Sequence, residues 1–179
     1  MAEIYLHVFQ PVLYEVGCLW QINQITVARE HYCTAVTQFI MSQLYPYIFN
    51  TPRIGRTMVA ACMGGELHEV GIRMVADFFE MAGWDTYYLG ANVPPTDIVE
   101  IIATQNASIL ALSTTLMPHL HHVTQTIAAI RQHPHTQHVK ILVGGYPFNL
   151  SPDLWQKVGA DGYAPDAKTA VSQAATLIA

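Results

Sequence analysis

Charge is what this sequence has least of: 12% of its residues are Asp, Glu, Lys or Arg, and the eight Lys and Arg are spread thinly. With no basic stripe to follow a phosphate backbone and a formal charge of −5, direct nucleic-acid binding is not expected. Long apolar runs are missing too. None approaches the ~20 residues a spanning helix needs, and the Met1-Ala2-Glu3-Ile4 start has no positive region and no cleavage site, so a cytoplasmic chain is expected. Cysteine is scarce: Cys18, Cys33 and Cys62 are odd in number and show no C-x-x-C spacing, which argues against a disulfide framework or a zinc site. They read as small core residues.

Apolar residues, by contrast, make up 51% of the 179, and there are nine histidines. A surface this poor in charge is expected to be partly covered by a cofactor or a partner. The length suits one α/β domain of about 120 residues with a short helical extension.

Residues 1–50 contain no glycine except Gly17 and repeat apolar residues at helical spacing: Ile4, Val8, Val12 and Val16, then Ile25, Ala28, Val36, Phe39, Ile40 and Leu44. Two helices are predicted, roughly 3–18 and 25–47, the second capped by Thr26. A linker follows at Asn50-Thr51-Pro52-Arg53-Ile54-Gly55. From there the texture changes to short apolar runs alternating with helical patterns. Strands are predicted at 57–62, 85–90, 108–113, 139–144 and 161–163. Helices are predicted near 68–82, 96–105 (capped at Thr96), 119–133, 152–158 and 166–178. Fivefold strand–helix alternation implies a Rossmann-type, five-stranded parallel sheet of flavodoxin-like order with helices on both faces, preceded by a two-helix partial bundle. The domains are expected at 1–50 and 55–179.

In such sheets ligands sit beyond the carboxyl ends of the strands. Three loops fall there: Gly64-Gly65-Glu66-Leu67-His68-Glu69-Val70-Gly71, Ser113-Thr114-Thr115-Leu116-Met117-Pro118, and Gly144-Gly145-Tyr146-Pro147. Glycines admit close backbone approach, Ser113 and Thr115 offer hydroxyls, and a neutral His68 suits a transition metal if a carboxylate fixes its tautomer. Glu66 is the candidate carboxylate.

In this order the loops resemble the cobalamin-binding domain family, whose motif is D-x-H-x-x-G, then S-x-L, then G-G. The resemblance covers about 55–179 and implies that His68 is the lower axial ligand of cobalt. It also implies that Glu66, Leu67, Glu69, Val70, Gly71, Ser113, Thr115, Gly144, Gly145 and Tyr163 contact cobalamin, whose nucleotide tail threads into the sheet. Glu66 stands for the usual Asp, its extra methylene still permitting a bond to His68, and Thr115 stands for the Leu.

Trp20 and, ten residues on, Glu30-His31 resemble the W-x9-E-H signature of CarH-type adenosylcobalamin-dependent photoreceptors. That resemblance implies that Trp20, Glu30 and His31 contact the upper 5′-deoxyadenosyl ligand, and that light breaks the cobalt–carbon bond to leave hydroxocobalamin. On spacing alone the same residues read as core filler and the polar start of a helix; coexistence with the His68 motif favours the sensor. Gln21 stands where the photoreceptor has a second cobalt-binding His. With two helices instead of four, the expectation is a homodimer through residues 1–50 or a partner protein that completes the bundle. No DNA-binding motif precedes it, so any role in transcription regulation passes through another protein.

His119, His121, His122, His133, His135 and His138 invite a metal reading, but no pair among the first three has the i, i+4 spacing of a helical metal face, and solvated histidines are expected. The leading expectation is thus a non-enzymatic light-sensing, signalling module. A corrinoid carrier for a methyltransferase system and a degenerate interaction domain are the alternatives.

Overall fold

The computed structural model describes every residue except Pro152. The chain folds as two compact units, Met1–Asn50 and Thr51–Ala179.

In the first unit, helix α1 covers residues 2–21, with Tyr5–Phe9 wound as a π-helix between the α-helical Ala2–Ile4 and Gln10–Gln21. Helix α2 spans Val27–Ile48. The Thr26 hydroxyl accepts the Arg29 amide and so caps α2 where the sequence places the cap. Much apolar surface stays uncovered on both helices, including Val8, Val12, Tyr32 and Phe39. Of the three cysteines only Cys62 is buried; Cys18 is exposed and Cys33 half-buried, because α1 and α2 leave those faces open.

The second unit is a parallel sheet of β1 (Thr57–Met63), β2 (Asp85–Val93), β3 (Ile109–Ser113), β4 (Lys140–Gly144) and β5 (Gly162–Tyr163) in the order β2-β1-β3-β4-β5. Both faces are covered. Alternate β1 residues enter opposite cores: Val59, Ala61 and Met63 pack with Ile98, Val123 and Ile127 on one side, and Met58, Ala60 and Cys62 pack with Ile72, Phe79 and Ala170 on the other. The covering helices are α3 (Val70–Met81), α4 (Pro95–Gln105), α5 (Leu120–Gln132), α6 (Tyr146–Leu150), α7 (Leu154–Val158) and α8 (Ala167–Leu177).

Four local expectations need correction. Helix α3 starts at Val70 rather than at 68, so His68 lies in the preceding loop. Thr96 is not a cap: α4 begins at Pro95 behind Pro94, and the Thr96 hydroxyl instead donates to Asp97 Oδ1 at 2.9 Å. Helix α6 was not anticipated, because Tyr146-Pro147 after two glycines reads as a turn; proline in a first turn is compatible with helix. Strand β2 runs past Gly90 to Val93, its ladder with β1 slipping after Ala60 and again before Met63, with Gly90 and Asn92 at positive φ. That irregularity puts Asn92 beside the His68 loop.

Candidate functional site

The turn after β1 is tight. A Cβ on Gly64 would lie 2.6 Å from the His122 ring, so only glycine passes under that ring. The Gly65 amide donates to Asn92 Oδ1 at 2.8 Å and the Asn92 amide donates to the Glu66 carbonyl at 3.1 Å, which ties the turn to the end of β2.

Glu66 is fully buried. Its Oε1 accepts the His68 amide at 3.0 Å and His68 Nδ1 at 2.5 Å. Its Oε2 accepts the Thr115 amide at 2.7 Å, the Leu116 amide and Thr114 hydroxyl at 3.2 Å each, and His119 Nδ1 at 3.1 Å. Burial alone would push the Glu66 carboxyl up. The hydrogen bonds from the His68 ring, the Thr115 and His68 amides and the His119 ring outweigh it and hold the group well below the usual carboxylate range. An ionised carboxylate only accepts, so Nδ1 carries the proton in both histidines. His68 in its neutral form is then left with a lone pair on Nε2, on a side chain 53% exposed. This donor set fits a metal-ligating imidazole with a fixed tautomer.

The surroundings also fit a large, flat, partly apolar ligand. Leu67 and Leu116 in loops, Met117 at the start of a 3-10 turn and Tyr146 at the start of α6, all just past the carboxyl ends of strands, are exposed. Gly71 is exposed and a Cβ there would have nothing within 4 Å. Ser113, half-buried, pairs with Gly144 at the ends of β3 and β4. The Gly145 Cα packs on the Thr114 backbone, and Gly144 lies against the Ala164 carbonyl. Tyr163 follows on β5 and donates its hydroxyl to Asn149 Oδ1 at 3.0 Å. Glu69 turns the other way: its carboxylate lies over Gly90, beside Tyr88, whose hydroxyl is pushed up by burial and then by Glu69. Val70 is buried as the first residue of α3.

Trp20, Glu30 and His31 belong to the first unit. Trp20 is exposed at the end of α1 and lines a shallow hollow with Asn23, Thr26, Val27 and Arg29. Glu30 accepts His31 Nδ1 at 2.5 Å and the Thr34 hydroxyl at 2.9 Å.

The histidine cluster is not uniformly solvated. His119 reaches Glu66 and the His122 ring packs over Gly64; the two stand i, i+3 apart, a spacing that brings side chains to one side as i, i+4 does. The spacing rule applied to the sequence omitted that case, and Glu66 is 53 residues away from His119.

Residues 56–172 match the B12 binding domain family, and residues 1–45 match a second B12 binding domain family. The chain belongs to the B12 binding domain family. Its relatives include dimethylamine corrinoid protein 1 of Methanosarcina mazei, 27% identical over 93% of this chain and 74% of that protein. A cobalamin-binding protein from Desulfitobacterium hafniense DCB-2 superposes with a TM-score of 0.62 at 25% identity, over 99% of this chain and 83% of that one. The monomethylamine corrinoid protein of Methanosarcina barkeri shares the fold, with a TM-score of 0.79 at 20% identity over 92% of this chain and 78% of that one. The Methanosarcina mazei relative is named as a corrinoid protein of a methylamine system, which shifts the balance away from the photoreceptor resemblance.

Proposed function

We propose that this chain is a corrinoid carrier, holding cobalamin on His68 and presenting it to a methyltransferase, with no catalysis of its own. One observation carries the reading: the buried Glu66 carboxylate lies 2.5 Å from His68 Nδ1, the placement by which a carboxylate orients a metal-ligating imidazole. Relatives named as dimethylamine corrinoid proteins point to a methylated amine as the ultimate methyl source. Bound cobalamin supplies a cobalt centre that accepts and donates a methyl group. This chain's residues do the rest: His68 ligates, Glu66 orients, and Leu67, Val70, Gly71, Ser113, Thr115, Gly144, Gly145 and Tyr163 hold the corrin and its tail. Residues 1–50, with their open apolar faces, pair with a second copy or with the methyltransferase.

The test mixes the full chain with hydroxocobalamin, methylcobalamin or adenosylcobalamin in the dark, records absorbance, then illuminates and measures size by gel filtration. A carrier binds the hydroxo and methyl forms with similar affinity and keeps its size in light. A preference for adenosylcobalamin above tenfold that depends on Trp20, with a light-driven change in size, supports the sensor instead. No spectral shift with any form, and none lost in His68→Ala, ends the cobalamin reading.

A further inference from the structure

Glu66 is gripped by two histidines, and only one of them is the ligand. His119 closes the 3-10 turn Met117–His119 that leads into α5. Its side chain is 20% exposed, and Nδ1 donates to Oε2, the oxygen that His68 does not use. The ring also lies against the His68 loop, since a Cβ on Gly65 would stand 3.5 Å from His119 Nε2. The two oxygens are divided in role: among the described residues Oε1 receives His68 alone, through amide and ring, while Oε2 receives the segment after β3.

We propose that His119 is a positioning residue for the axial ligand, holding the Glu66 carboxylate so that Oε1 stays directed at His68 Nδ1. This rests on the cobalamin reading above. The Thr115 and Leu116 amides and the Thr114 hydroxyl hold Oε2 from the segment after β3, while Oε1 is held from the His68 loop alone. A ring donor from the start of α5 adds a second direction of restraint. It also joins α5 to the His68 loop, so a displacement of α5 reaches the ligand through one carboxylate. Partners outside the ligand shell commonly change metal affinity by about 10–100-fold when removed.

The full chain is loaded with hydroxocobalamin as wild type, His119→Ala, His119→Asn and His68→Ala, and the fraction with the axial histidine bound is read from absorbance. His119→Ala is expected to raise the unligated fraction on the order of tenfold. His119→Asn, which keeps an amide donor near the place of Nδ1, is expected to restore most of the ligation. In the apoprotein, the ¹⁵N shift of His68 Nδ1 moves in His119→Ala and returns in His119→Asn. Spectra and ¹⁵N shifts identical to wild type in His119→Ala overturn the role of His119 while cobalamin binding stands. A wild type that binds no hydroxocobalamin overturns both.

Discussion

A Cβ placed on Gly145 would lie 2.0 Å from the carbonyl oxygen of Thr114. The first residue after β4 and the first after β3 are therefore in backbone contact, and no side-chain rotation can relieve that contact. Gly145 also sits at φ +102°. Gly145→Ala is expected to cost at least about 2 kcal/mol, from overpacking and backbone strain together. Gly17, in α1 with nothing within 4 Å of its Cβ position, is the contrast: Gly17→Ala gains about 0.5–1 kcal/mol of helix propensity. Urea unfolding of the apoprotein checks both, and equal effects would contradict the contact.

Glu66 and His68 separate stability from binding. Glu66→Ala leaves the Thr114 hydroxyl, the Thr115, Leu116 and His68 amides and the His68 and His119 rings without their acceptor, at about 2–4 kcal/mol. His68→Ala removes a half-exposed ring and is expected to move the unfolding midpoint little while abolishing the axially ligated spectrum of bound hydroxocobalamin. Thermal melts and absorbance on the two variants give the comparison.

Acid acts through the same carboxylate. Its folded pKa lies below the ordinary 4.5, so the folded state binds fewer protons than the unfolded one as pH falls through that value. The stabilisation is complete above about pH 4.5 and is lost progressively below it. Wild type is expected to lose more stability between pH 5 and pH 3 than Glu66→Gln, measured by urea titration at each pH. Parallel slopes would show that Glu66 carries no such linkage.

On α2, Tyr32, Val36 and Phe39 are exposed at i, i+4 and i+7, one apolar stripe. Sedimentation equilibrium is expected to show self-association of the isolated full chain that Phe39→Glu weakens at least about tenfold. A strictly monomeric wild type would overturn self-association through that stripe.

Much of the site is written locally. Glu66 and His68 are two residues apart in a loop whose place at the end of β1 follows from apolar patterning alone, so their pairing is legible without coordinates. The fold follows as directly, since fivefold strand–helix alternation admits few arrangements, and the observed β2-β1-β3-β4-β5 order is among them. The motif-bearing loops resemble those of cobalamin proteins, and family membership agrees. The choice between carrier and sensor was not legible: Trp20, Glu30 and His31 match a spacing, and a spacing does not say what an aromatic ring covers.

The order of residues by itself determined the strands, the edge on which the loops converge and the Glu66–His68 pair, because each depends on neighbours a few positions apart. Tertiary structure decided what surrounds that pair. His119, Thr114, Thr115 and Leu116 reach Glu66 only because β3 lies beside β1, and Asn92 reaches it only because β2 slips in register. A buried carboxylate must collect donors from whichever elements the fold brings to it, and sequence separation does not limit which those are.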